Sequence, residues 1–260
     1  MKTPERHFAT VIMAAGKGTR MLNSEKAKVM FEVGGRPMIE HVVELAVGLN
    51  SSRIIAVVGY HRDSVIAHLS RVFPSVEFAL QEPQLGTGHA VMQTTQLLSA
   101  FRGDVLVLSG DVPLLRQSTI LDLIHHHHGT GAVGTILSAD LDIPTGYGRI
   151  LRDSAGNVVG IVEEKDASPE ERKVCEINSG IYIFDSVRLF EALKHINTNN
   201  AQKEYYLTDV FAYYWIHKLK VSAKKAGDFN EIRGVNTVAQ LDEAASLLQL
   251  RNAGKTPVVN

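Results

Sequence analysis

An α/β fold, with a Rossmann-like, mostly parallel mixed sheet flanked by helices, is predicted by three features of the 260-residue sequence. Apolar, β-branched runs recur along the chain. Amphipathic segments of helical period separate them, and glycine-containing polar turns close several runs at one end. Strands alternating with helices fold as right-handed crossovers, which build parallel sheets covered on both faces. In such sheets ligands collect at the carboxyl ends of the strands, near a topological switch point.

The first run, 8–14, carries Val11 and Ile12 and reads as a central strand. It feeds Met13-Ala-Ala-Gly-Lys-Gly-Thr-Arg20, where Gly16 and Gly18 allow a tight turn and a close approach to a ligand. Successive N–H groups in such a loop form a concave anion site. Lys17 and Arg20 add charge, and Arg20 can fork two oxygens of one phosphate. The same glycines also suit a plain strand-to-helix turn. Two familiar nucleotide loops are absent: there is no GxxxxGK[ST], and GxGxxG would need glycine where Met21 stands.

A helix is expected over 38–48, a strand at 54–58, a helix at 62–72 and a strand at 76–80. Gln81 to Ala90 is a second glycine-rich segment, leading into a helix at 89–100. A glutamine amide both donates and accepts, as a flat base edge demands; Thr87 completes that recognition or caps the helix. The strand 105–109 runs into Gly110-Asp111, on the same edge as the Gly16 loop. A carboxylate there suits Mg²⁺ near phosphates, or else caps the next segment.

A helix at 117–128 and a strand at 133–137 complete the regular pattern. From about residue 140 the character changes to a β-hairpin (149–151 and 158–162), a strand at 176–185, and helices at 187–195 and 206–217. Thr237 opens a final amphipathic helix that ends in a short polar tail. Loops around this hairpin carry Gly148, Glu163 and Asn178. Such carboxylates and amides recognise sugar hydroxyls, although charged hairpins are commonly just solvated. Of the four histidines 125–128, only His125 and His128 share a helix face, so a polar helix end is expected rather than a metal site. His41 and His61 read as packing or turn residues.

Composition is that of a globular protein, 45% hydrophobic and 21% charged, with a net charge of −1 that offers no general pull on nucleic acid. The single cysteine, Cys175, allows no internal disulfide framework and has no cluster that would give it a catalytic role. No apolar leader or membrane-length run is present, which makes cytoplasmic the expected location.

Taken together, Ala14-Ala-Gly-Lys-Gly-Thr-Arg20-Met21, Lys28-Val29, Gly35-Arg-Pro-Met38, Leu85-Gly-Thr-Gly-His-Ala-Val91 and Gly110-Asp-Val-Pro-Leu114 form an ordered set. It continues with Pro144-Thr-Gly-Tyr-Gly-Arg-Ile150, Glu163-Glu-Lys-Asp-Ala167, Glu176-Ile-Asn-Ser-Gly180, Asn199-Asn-Ala-Gln-Lys-Glu-Tyr-Tyr-Leu-Thr-Asp209 and Gly234-Val-Asn236. This set resembles the uridyltransferase domain of the bacterial N-acetylglucosamine-1-phosphate uridyltransferases, in the nucleotide-diphospho-sugar transferase superfamily. The first loop points only to the superfamily; 199–209 and 146–150 narrow it to the N-acetylglucosamine branch.

The resemblance implies Mg²⁺-dependent transfer of UMP from UTP to N-acetylglucosamine 1-phosphate. Met13, Ala14, Ala15, Gly16, Gln81, Gly86 and Thr87 would hold the nucleotide, with Ser109 and Gly110 beside it. Arg20 and Lys28 would hold the triphosphate, and Asp111 and Asn236 the Mg²⁺. Gly148, Glu163 and Asn178 would bind the sugar phosphate, with Tyr206 and Thr208 closing over the acetamido group. One nucleotidyltransferase domain is expected over 1–236, its nucleotide half about 1–130 and its sugar half about 131–236, followed by a helix and tail at 237–260.

Glucose- or galactosamine-type sugar phosphates are the alternative acceptors. A catalytically silent homologue would have lost metal or phosphate residues, yet Arg20, Lys28, Asp111 and Asn236 are all present.

Three departures stand out. The stretch from Arg20 to Lys28 is one residue longer than the family pattern, and Ala27 replaces its proline. Ser109 stands where an aromatic is common. Family enzymes continue into a trimerising left-handed β-helix that transfers acetyl groups. No such repeat occurs before Asn260, so no acetyl transfer and a monomer are expected.

Overall fold

A computed structural model describes residues 7–18, 21 and 26–254. The apolar run that ends in the glycine loop forms β1 (Phe8–Ala14). A single 3₁₀ turn at Lys28–Met30 precedes a two-stranded ribbon, β2 (Glu32–Val33) and β3 (Arg36–Pro37), joined through Gly34-Gly35. Then come α1 (Met38–Gly48), β4 (Arg53–Val58), α2 (Arg62–Val72), β5 (Glu77–Leu80), α3 (Thr87–Met92) and β6 (Asp104–Ser109). The chain continues through α4 (Gln117–Thr130), β7 (Gly134–Asp140), β8 (Arg149–Arg152), β9 (Val158–Val162) and β10 (Glu176–Asp185). It closes with α5 (Ser186–Ala192), α6 (Asp209–Ile216), β11 (Val221–Lys225), α7 (Phe229–Ile232) and α8 (Val238–Asn252).

Nine strands form one sheet in the order β11-β7-β10-β6-β1-β4-β5, with the β8–β9 hairpin attached to β10. β1 pairs in parallel with both β4 and β6, and β10 runs antiparallel between β6 and β7. Connections from β1 proceed outward through β4 and β5, then return to β6 on the other side of β1. The order therefore reverses between β1 and β6, which opens a crevice at their carboxyl ends. Met13 is the register partner of Ser109, and Gly110 N–H donates to the Met13 carbonyl at 2.9 Å.

Alternate side chains of the buried strands enter two cores, one on each face, as the period of two requires. Ile12, Ala56, Leu106 and Leu108 lie in one; Val11, Val57, Val105 and Val107 lie in the other with Phe184, Phe211 and Tyr214. A third, small cluster joins α8 to the ribbon through Val33, Met38, Leu114 and Ala244. Among the described residues no helix is long and apolar enough to cross a membrane.

Several expected elements need correction. The helix expected over 89–100 stops at Met92. Thr94 and Thr95 hydroxyls each donate to the carbonyl three residues back at 2.7 Å, and such local bonds compete with the helical ladder. The helix expected over 206–217 begins only at Asp209, because 205–207 pair with the 85–88 loop instead. The four histidines do more than end a helix. His127 is buried and bonded to Thr135 at 2.8 Å, and His128 Nε2 lies 2.6 Å from the fully buried Asp104 carboxylate. β11 and the β2–β3 ribbon are additions; the two-residue strands of the ribbon fall below what periodicity can register, and the five residues of β11, half-buried and ending in two lysines, hold too few apolar positions to do so.

Candidate active site

The crevice holds a cleft of about 510 Å³ lined by Met13, Ala14, Ala15, Gly16, Lys17, Lys28, Gln81, Gly86, Thr87, Ser109 and Asp111. Gln84 and Glu204 line it as well. Three chain segments meet here because β1, β5 and β6 all end on the same edge of the sheet.

Gly18 adopts φ +61°, and a Cβ there would stand 2.5 Å from Lys28 Cβ. The loop can therefore lie on the stem of Lys28 only because that position is glycine. Lys28 starts the 3₁₀ turn, and its side chain is 12% exposed. Its ammonium contacts Asp111 Oδ2 and donates to Asn236 Oδ1 at 2.7 Å. Asp111 follows β6, while Asn236 arrives from the far end of the sequence, 208 residues from Lys28. Val235 N–H donates to the Asp111 carbonyl at 2.9 Å, and Gln240 Oε1 accepts from Asn236 N–H at 2.7 Å. The first turn of α8 thus fixes the backbone of Asn236.

The second glycine loop is anchored from both sides. Gln81 is buried and donates to the Gly86 carbonyl at 2.9 Å. Gly86 has φ +107°, and a Cβ on it would lie 2.6 Å from the Tyr205 carbonyl. Close approach there lets Gly88 N–H donate to Tyr205 at 2.7 Å and Leu207 N–H donate to Thr87 Oγ1 at 3.0 Å. Thr87 takes the role of an inter-segment acceptor and gives α3 no side-chain cap.

Beyond that seam lies a second polar cluster. Thr208 Oγ1 donates to Glu163 Oε1 at 2.9 Å, and Tyr206 OH donates to Asp166 at 3.2 Å. Asn178 N–H donates to the Gly148 carbonyl at 2.9 Å, and its side-chain amide donates to Tyr182 OH at 2.8 Å. A Cβ on Gly148 would come within 3.2 Å of the Glu163 carboxylate. Asn178 sits where the β10 register breaks, and a Cβ on nearby Gly180 would be 3.5 Å from Ser109 Oγ. These contacts carry one polar wall from Ser109 through Asn178, Gly148, Glu163 and Thr208 to Thr87.

Burial shapes the charges of that wall. Desolvation, with Asp209 and Asp166 nearby, pushes the Glu163 carboxyl above its usual range against the Thr208 hydrogen bond. Desolvation and then the Asp166 charge lift Asp209 to about 6. Tyr206 is raised by desolvation and by Asp166, so its hydroxyl stays a donor at neutral pH.

Of the residues singled out from the sequence, Arg20 lies outside the described residues. Gly110 lies at the β1–β6 junction, where a Cβ would be 2.9 Å from Ile39 Cδ1. The remaining ones gather at the crevice or along the wall. Gln84, Glu204, Asp166, Tyr182 and Gln240 receive no individual role from the sequence. The first three lie within the motif segments, whereas Gln240 is an ordinary helix residue with no local signal at all.

Asp111 and Asn236 fit a hard divalent cation. Two oxygens already converge on one positive charge, the Lys28 ammonium, beside the Gly16–Gly18 loop. Among the described residues no cluster of three or more His, Cys, Asp or Glu forms a stand-alone metal centre. Any such ion must complete its shell with other oxygens, as Mg²⁺ does with water and phosphate.

Comparison with known proteins agrees with this architecture. Residues 9–229 match the nucleotidyl transferase family model. The chain is 47% identical over 241 residues to the bifunctional protein GlmU of Streptococcus mutans, covering 93% of this chain and 52% of that one. It is 48% identical to the bifunctional protein GlmU of a Geobacillus species over the same shares. It thus spans about half the length of the curated relatives it matches. A UDP-glucose pyrophosphorylase solved with UDP-glucose superposes with a TM-score of 0.74 at 17% identity, over 94% of this chain and 99% of that one. That likeness concerns the fold alone. With its crevice at the β1–β6 switch point and the family match running from β1 to α7, this chain belongs to the nucleotidyl transferase family.

Proposed function

We propose that this protein transfers UMP from UTP to N-acetylglucosamine 1-phosphate, releasing pyrophosphate and forming UDP-N-acetylglucosamine. The observation that carries this reading is the convergence of Lys28, Asp111 and Asn236 at the cleft lined by the Gly16 loop. The Glu163–Thr208 pair joins that cleft through the neighbouring Leu207, whose N–H donates to Thr87. The sequence resemblance supports the choice of uridine and of the acetamido sugar.

In the reaction, a phosphate oxygen of the sugar phosphate attacks the α-phosphorus of UTP in line. The bond from that phosphorus to the oxygen bridging to the β-phosphate breaks, and pyrophosphate carries away the electron pair. The attacking oxygen is already anionic, so no proton has to move. The protein's task is to hold two polyanions in line and offset charge on the leaving group. Gly16 and Lys17, which line the cleft, would offer backbone N–H groups to the phosphates. Lys28, with its flexible stem, supplies a mobile positive charge, and the sequence assigns Arg20 to the same work. Glu163 and Asn178 would take up sugar hydroxyls, and Gln81 with Gly86 a base edge. Asp111 and Asn236 would hold Mg²⁺, which when bound supplies Lewis-acid neutralisation of phosphate charge. This reading includes a cytoplasmic enzyme, since UTP is its donor.

The test is a panel of UTP, ATP, GTP, CTP and dTTP against N-acetylglucosamine, glucose and N-acetylgalactosamine 1-phosphates, following sugar nucleotide and pyrophosphate with and without Mg²⁺. Product from UTP and N-acetylglucosamine 1-phosphate alone, dependent on Mg²⁺, is expected. No product with any pair would overturn the reading, and equal turnover with glucose 1-phosphate would overturn the acetamido preference.

A further inference from the structure

We propose that Lys28 is a built-in competitor of the divalent cation, so that cation binding at Asp111 and Asn236 is coupled to the arrival of phosphate. The inference deepens the proposed function and rests on its assignment of phosphates to the glycine loop. The Lys28 ammonium takes an oxygen from each of the two side chains that would ligate the ion. A divalent ion on the same two oxygens would lie within a few ångströms of that ammonium, where like charges repel strongly in a partly desolvated pocket. Both cannot stay: one must leave.

The geometry decides which one moves and where. The backbone of Lys28 is fixed, because the 3₁₀ turn buries Val29 and Ala27 is 1% exposed. The stem of Lys28 lies against Gly18 from Cβ to Cδ. Rotation of the Cδ–Cε end is what can carry the ammonium away from Asp111 and Asn236, and the loop of Gly16 to Gly18 lies beside that stem. Phosphate oxygens on that loop offer the ammonium a new partner, and Asp111 and Asn236 are then released to the metal. Reciprocity follows: if phosphate strengthens cation binding by some factor, the cation strengthens phosphate binding by the same factor. An ordinary structural ion pair would hold the two segments together with no such effect.

Mn²⁺ titration of the full chain without nucleotide, read from the electron paramagnetic resonance signal of free Mn²⁺, separates the two. Lys28→Met and Lys28→Gln should bind Mn²⁺ about ten- to a hundredfold more tightly than the unsubstituted chain. Lys28→Arg, which keeps the charge, should stay near the unsubstituted value. Adding Asp111→Asn to Lys28→Met should abolish the gain. In thermal melts, Mn²⁺ should raise the Tm of Lys28→Met but not of the double variant.

Equal Mn²⁺ affinity in the unsubstituted, Met and Gln chains would overturn the proposal, as would a gain that survives Asp111→Asn. None of these measurements depends on turnover. A tightened Mn²⁺ site in a protein that makes no sugar nucleotide would leave this inference standing and remove the uridylyl reading. Flat titrations in an active enzyme would do the reverse.

Discussion

At Asp111, on the proposed reading, one carboxylate would serve two cations in turn, and its side chain has few other ties to the fold. Its side chain is 23% exposed and its principal partner is Lys28. Asp111→Asn keeps the shape and removes the charge, so turnover should fall by about 10²–10³ while the far-UV spectrum and Tm stay close to the parent. Near-parental turnover would remove Asp111 from the chemistry. Ala27 offers a stabilising counterpart. It holds φ −60° and ψ 138°, angles that proline adopts without strain. Ala27→Pro should raise stability by about 0.4–1 kcal/mol by restricting the unfolded chain, read as a higher urea midpoint at unchanged m. A lower midpoint would mean that the ring does not fit this buried position.

Asp209 makes the third prediction at this scale. Its folded pKa, about 6, lies above its ordinary value of 3.8, chiefly through desolvation. The folded protein therefore binds this proton more tightly than the unfolded chain does. The resulting stabilisation is full below pH 3.8 and is lost as pH rises through 6. Asp209→Asn should raise stability at pH 8 by about 1 kcal/mol, after discounting for its partial exposure, and the gain should vanish near pH 4. A gain that is the same at both pH values would contradict this origin.

Among the elements, α8 has a part that its own sequence does not advertise. Thr237 caps it, with its hydroxyl accepting from Gln240 N–H at 3.3 Å, and the Gln240 side chain in turn accepts from Asn236 N–H. The helix is thus a brace for one member of the Lys28 trio. Gln240→Ala removes that acceptor at a cost of about 1 kcal/mol. Turnover should fall several-fold and the Mg²⁺ concentration for half activity should rise, whereas Gln240→Glu, which still accepts, should recover most of both. A loss of Tm with unchanged Mg²⁺ dependence would make Gln240 purely structural. The 205–208 segment teaches the same lesson from the other direction. Residues 206–208 read as helix, yet Leu207 and the preceding Tyr205 bond to the 85–88 loop. Tertiary hydrogen bonds there outweigh local propensity, and the polar wall depends on it.

Across the whole molecule, the sheet separates stability from the crevice. Phe184 is fully buried among Tyr182, Phe211 and Tyr214 on β10 and α6. Phe184→Ala should cost about 3–5 kcal/mol in chemical denaturation. The turnover of the molecules that remain folded should be near the parent's, since the site lies at the carboxyl ends of β1 and β6. A matching fall in turnover would mean that this core also sets the position of the Asn178 wall.

The sequence by itself determined the strand–helix alternation, the two glycine loops and the carboxylate after β6. Period, β-branching and glycine act locally, within a few residues. It also carried the family resemblance, because the motifs keep their order along the chain. Which distant residues meet is settled by the three-dimensional fold. Asn236 reaches Lys28 across 208 residues, Tyr205 and Leu207 close on the Gly86 loop, and His127 and His128 turn inward to Asp104. No local preference encodes these meetings. They follow from strand order, with β6 returning beside β1 and α8 folding back over the ribbon, and that order is set by burying both faces of one sheet at once.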